Sequence, residues 1–153
     1  MRDLKSWHQK EKRKALCSFA DQGNDGFTPL HLAVERGIDS AMAALLGFTN
    51  LGIDVNAQSK DHRTPLHIAS YNGNVKMVQE LLKIGDINVN LQECRGWTPA
   101  HLAVYQSHIE VVQALLQSGK IDLYKKNANG HTVIDLAKIQ NNRELLKMIY
   151  NFT

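Results

Sequence analysis

No apolar run in the 153-residue chain approaches the roughly 20 residues needed to cross a bilayer, so no membrane insertion is expected. The charged N-terminus has no apolar stretch behind it, so no secretory signal is expected either. Two cysteines, Cys17 and Cys94, make no disulfide framework and read as thiols that pack or sit exposed. This suits a reducing compartment, and the expected location is the cytoplasm or the nucleus. Equally missing are a Gly-rich phosphate loop of Walker or Rossmann form and a Ser or Cys nucleophile in a recognisable elbow. Nothing beside Cys94 in sequence is placed to activate its sulfur. No catalytic residue, metal or cofactor is expected, and the chain does not read as an enzyme.

Charge of one sign is also scarce where it would matter for nucleic acid. The formal net charge is +3, but residues 1–14 hold six basic side chains (Arg2, Lys5, Lys10, Lys12, Arg13, Lys14) against Asp3 and Glu11. That segment carries +4, and the remainder carries −1. A near-neutral body argues against nucleic-acid binding. The run Lys10-Glu11-Lys12-Arg13-Lys14 fits a nuclear-import signal or a phosphate patch, and fits better a solvated helix face or a loose terminus.

What the chain does have is self-similarity. Thr28-Pro29-Leu30-His31-Leu32-Ala33 returns as Thr64-Pro65-Leu66-His67-Ile68-Ala69 and as Thr98-Pro99-Ala100-His101-Leu102-Ala103. A worn copy reads Thr132-Val133-Ile134-Asp135-Leu136-Ala137, and the threonines step by 36, 34 and 34 residues. Such a period predicts a stacked solenoid. Each Thr fits a helix N-cap, and Pro at the first helical position loses a donor that had no partner anyway. His at the third helical position can reach back to the cap as Glu does in a capping box, and Asp135 takes that place in the fourth copy. The first helix of each unit is expected to run about nine residues. Gly37 and Gly73 end it, with Ser107 and Asn141 at the equivalent sites. A second helix carries pairs such as Leu81-Leu82 and Leu115-Leu116 at helical spacing. Asp-Gly and Asn-Gly turns then suit a tight hairpin.

These motifs resemble the ankyrin-repeat family across residues 24–151, about four repeats. The resemblance implies an all-α fold: an ankyrin-repeat solenoid of stacked helix-turn-helix units with short β-hairpin-like finger loops. The expected division is an N-terminal helical cap or degenerate repeat with a basic segment at 1–22, and a repeat domain at 23–153. The repeats fall near 24–59, 60–93, 94–126 and 127–153. The loop from Gly47 to Leu51 is longer than the family norm, and His62 replaces a turn glycine. The fourth repeat loses its Pro and gains polar residues, as a terminal unit should.

The resemblance also implies a monomeric protein-binding module. Its partner, of unstated identity, would meet the finger tips and the concave face of the first helices. Carried over position by position, the tips are Asp25, Phe27, Asp61, Arg63, Arg95, Trp97, Asn129 and His131. The first helices add Glu35, Arg36, Tyr71, Asn72, Tyr105 and Gln106, with Ile139 and Gln140 in the last repeat. Phe27, Tyr71, Trp97 and Tyr105 put four aromatics on one surface with arginines among them, the composition of binding hot spots. The competing reading is that these rings pack on neighbouring fingers.

Metal binding and nucleotide or RNA stacking are the alternatives on the same residues. Metal binding by His31, His67 and His101 fails on spacing, because residues one repeat apart stand about 10 Å from one another in stacked helices, against ligand distances near 2 Å. Nucleotide or RNA stacking on Trp97 and Tyr105 is chemically reasonable but meets the near-neutral body. Within protein binding, an adaptor, an occluding inhibitor and a host-targeting effector of an intracellular pathogen share this pattern.

Overall fold

The computed structural model describes residues 26–47 and 52–153. Among the described residues there are eight helices and no strand: α1 (Pro29–Glu35), α2 (Asp39–Leu46), α3 (Pro65–Asn72), α4 (Val75–Leu82), α5 (Pro99–Tyr105), α6 (Ile109–Gln117), α7 (Val133–Ile139) and α8 (Arg143–Phe152). The expected cap at residues 1–22 and the long part of the first loop, at 48–51, lie outside the described residues.

Each odd-numbered helix starts as its sequence dictates. The Thr28, Thr64 and Thr98 side chains accept the backbone N–H of His31, His67 and His101, and each imidazole reaches back to the cap backbone. Asp135 closes the same reciprocal box with Thr132. These helices run seven or eight residues, shorter than the expected nine. The last positions go to the cap: the Gly37 N–H bonds to Val34 O and the Ile38 N–H to Ala33 O, which closes the turn against the helix. Ser107 (φ 58°) and Asn141 (φ 53°) take the same left-handed conformation as Gly37 and Gly73.

The first helices α1, α3, α5 and α7 stack in one row, and α4, α6 and α8 stack behind them. The core runs unbroken along the stack. Met77, Val78 and Leu81 of α4 meet Val111, Val112 and Leu115 of α6, all buried. Burial of such side chains contributes about 1.5–3 kcal/mol each. α8 buries Leu145 and Ile149 and turns Arg143, Glu144 and Lys147 to solvent. The stack is an all-α solenoid.

The repeats are tied together by three polar devices. His31 Nε2 donates to Arg63 O at 2.8 Å, His67 Nε2 to Trp97 O at 2.9 Å, and His101 Nε2 to His131 O at 3.0 Å. Asn56 donates to Asp86 O and accepts the Asn88 N–H, both at 2.8 Å; Asn90 does the same with Lys120 O and the Asp122 N–H. Finger to finger, the Cys94 N–H bonds to Asp61 O and the Ala128 N–H to Arg95 O, each at 2.9 Å. The fingers themselves are tight turns closed by two backbone bonds each: the N–H of Ser59, Glu93 and Asn127 donates to the O of Arg63, Trp97 and His131, and the N–H of His62, Gly96 and Gly130 donates back to the O of Ser59, Glu93 and Asn127.

Cys94 is buried in the third finger and disulfide-bonded, which corrects the reading of it as a thiol that only packs. Cys17 lies outside the described residues.

Candidate functional site

The conserved-looking letters of the repeat are fully engaged within the scaffold. Each of His31, His67 and His101 accepts at Nδ1 from its Thr and donates at Nε2 to the next finger, so all three are the neutral Nε2–H tautomer. Burial, which disfavours the imidazolium, holds the His67 pKa down at about 4 and lowers those of His31 and His101. Among the described residues no group of three His, Cys, Asp or Glu converges on a metal-sized site. No described helix is long and apolar enough to cross a membrane.

The residues that vary between repeats form the outer ridge. Phe27 is half-buried and stacks on His31 with ring centroids 5.2 Å apart and planes 7° from parallel. At the next finger Arg63 takes that place, then Trp97, then His131, all partly exposed. Glu35 and Arg36 at the end of α1, Tyr71 and Asn72 at the end of α3, and Tyr105 at the end of α5 are exposed; Gln106 is partly so. Ile139 and Gln140 extend the row, and the Gln140 amide donates to Tyr105 O at 2.8 Å. Asn129 is exposed on the fourth finger. Asp25 lies outside the described residues.

Three of these side chains meet. The Trp97 and Tyr105 rings stand 5.1 Å apart at 84°, an edge-to-face pair that forms a corner between the third finger and α5. The Arg95 guanidinium lies 5.8 Å from the Trp97 ring centre on the finger side. The corner is open: Tyr105 remains 55% exposed and Tyr71, one repeat before it, 48%. Packing accounts for part of Trp97, which rests on the core and on His101. It does not account for Tyr71 or Tyr105.

Asp61 is a correction. Expected on the surface of the second finger tip, it is buried, taking a hydrogen bond from the Ser59 hydroxyl and an ion pair from Arg63. It supports the finger from within.

Sequence reasoning passed over the residues that hold the fingers in shape. Glu93 Oε1 accepts the Arg95 N–H at 2.8 Å and the Trp97 N–H at 3.1 Å. Asn127 Oδ1 does the same for Asn129 and His131, both at 3.0 Å, and Ser59 Oγ takes the Arg63 N–H. The signal was present as a 34-residue step, Ser59 to Glu93 to Asn127, but the three residue types are unlike and share only an acceptor oxygen. His108 was also missed; its Nε2 donates to Tyr71 O at 3.0 Å and seats its ring against Gly73.

Comparison with known proteins agrees with this geometry. A family model described as ankyrin repeats in three copies matches residues 42–127 and 84–152. Human transient receptor potential cation channel subfamily A member 1 is 40% identical over 63 residues, 41% of this chain and 5% of that protein. Human rabankyrin-5 is 38% identical over 68 residues, 44% of the chain and 6% of the relative. Rat protein fem-1 homolog A is 31% identical over 88 residues, 51% and 13% respectively. The chain thus spans a small fraction of the length of each. Ankyrin repeats are protein–protein interaction modules, and with that family model matched over residues 42–152, most of its length, the chain belongs to the ankyrin-repeat family.

Proposed function

We propose that the chain is a non-enzymatic binding module that grips a protein partner on the ridge centred on Tyr71, Trp97 and Tyr105, acting as an adaptor or as an occluding inhibitor. The observation that carries this reading is the Trp97–Tyr105 corner: two large rings held at 84° with a guanidinium beside them and solvent in front. Rings held by neighbours lose little entropy on binding and bury a large area, which is why aromatic and Arg residues dominate hot spots. Family membership supports the protein class of partner, and nothing in the scaffold itself requires Tyr71 or Tyr105 to be aromatic.

The test is affinity capture from cell lysate with wild type beside two variants, Trp97→Ala/Tyr105→Ala and Tyr71→Ala/Tyr105→Ala, each checked by circular dichroism. The second pair spares the core, so it keeps the test valid should the first prove unstable. A protein enriched by wild type should fall at least about tenfold on a folded variant, the effect of losing hot-spot side chains. Equal recovery by wild type and folded variants overturns the proposal.

A further inference from the structure

The two fingers beside the aromatic corner hold their charge in the same way. In the second finger, Arg63 Nε stands 2.9 Å from Asp61 Oδ2, with the arginine side chain 40% exposed and the aspartate 6%. In the third, Arg95 Nε stands 3.6 Å from Glu93 Oε2, with exposures of 56% and 0%. Each pair is formally neutral, yet only its positive half faces outward. The acids are below for reasons of their own: Asp61 receives the Ser59 hydroxyl, and Glu93 receives two backbone N–H groups of its finger.

This arrangement draws both guanidinium groups towards their buried acids by charge. Nε is the atom that approaches the buried acid in each ion pair, without a directed hydrogen bond to it, and the Nη groups, the fork that receives a carboxylate, meet no partner among the described residues. Arg95 is steadied further by the Trp97 face. An arginine fixed before binding loses less freedom when a carboxylate arrives.

Building on the protein-binding reading above, we propose that the ridge takes an extended acidic segment of the partner. Its Asp or Glu carboxylates engage Arg63 and Arg95, and a bulky apolar side chain enters the Trp97–Tyr105 corner. Arg63 and Trp97 hold the same position in consecutive fingers and so lie one repeat apart, about 10 Å for stacked helices. An extended chain covers that distance in about three residues. The segment should therefore carry an acid about three positions from its apolar anchor.

The experiment is selection of a random 12-residue peptide library displayed on phage against the full chain. Enriched peptides should pair an acid with a bulky apolar residue two to four positions away, and should be lost on Tyr71→Ala/Tyr105→Ala. A synthetic copy of the leading peptide should bind Arg95→Gln at least about tenfold more weakly. Glu93 keeps its two backbone donors in that variant, so its finger should hold. On wild type the peptide should weaken as salt rises from 50 to 500 mM, which needs no variant at all. Enrichment of neutral or basic peptides that still depend on the aromatics, or no enrichment, overturns the acidic segment and leaves the binding ridge standing. Enrichment indifferent to the aromatics overturns both. Displacement of the peptide by poly(U) as readily as by its own unlabelled copy would mark a nucleic-acid surface and also overturn the proposal.

Discussion

The third and fourth repeats begin alike and end differently. His101 and Asp135 stand at the same helical position, and both close a capping box with a threonine. His101 then reaches on to His131 O, while among the described residues Asp135 has only its local bonds to Thr132. The Asn ladder stops at the same place. Asn56 and Asn90 bridge to the following loop; Tyr124, at the next position in register, is 73% exposed. The cap and the forward reach are thus separate functions of one residue. The middle repeats use both, and the last uses only the first.

Removing the side chain in each place breaks the comparison most directly. His67→Ala leaves Trp97 O and the Thr64 N–H without their buried partner and opens a gap, so it should destabilise by about 4 kcal/mol. Asp135→Ala removes only a cap interaction and should cost far less. Urea unfolding of the two variants beside wild type measures both. Equal losses would mean that the reach between repeats contributes nothing beyond the cap.

A pH titration should separate them next. His67 is a base whose folded pKa, about 4, lies below its ordinary 6.5, so the unfolded chain takes up the proton first as pH falls. Its contribution is fully present above pH 6.5 and is lost as pH falls towards about 4. A depression of that size corresponds to about 3 kcal/mol, and His31 and His101 act in the same direction. Asp135 is depressed below 3.8 by its bonds to Thr132, so its cap is lost only in stronger acid. Stability should therefore decline between pH 6.5 and 4. It should decline less in His67→Gln, whose amide can both accept and donate without titrating. A wild-type curve flat through that window, or one unchanged by the substitution, would show that the buried histidines do not govern it.

How much of this was legible follows from how local each interaction is. Thr28, Thr64 and Thr98 meet partners three residues away, so the caps could be written down from the sequence. The Trp97–Tyr105 pair spans one finger and one helix of the same repeat and was in reach for the same reason. The second bond of the buried imidazole, from His67 Nε2 to Trp97 O, runs 30 residues forward. It follows from the stack, which the pattern names only as a whole. The burial of Asp61 escapes the pattern because position alone marks a finger-tip residue as exposed, while its burial depends on Ser59 and Arg63 beside it. Ser59, Glu93 and Asn127 were missed because their chemistry repeats while their identity does not.

The smallest expected effect applies the comparison to the finger turns. Gly26, Gly96 and Gly130 hold the left-handed turn position at φ 72°, 78° and 80°, and His62 holds it at 67°. The turn of the second finger has kept the shape of its neighbours with a residue that the shape disfavours by about 1–2 kcal/mol. The His62 side chain is exposed. What the substitution removes from the folded state is therefore mostly backbone strain. Glycine also gains freedom in the unfolded chain, which offsets roughly half of that relief. His62→Gly should thus stabilise by about 1 kcal/mol and raise the melting temperature by about 2–5 °C. An unchanged or lower melting temperature would mean that His62 makes a contact in solution that compensates the strain of its turn.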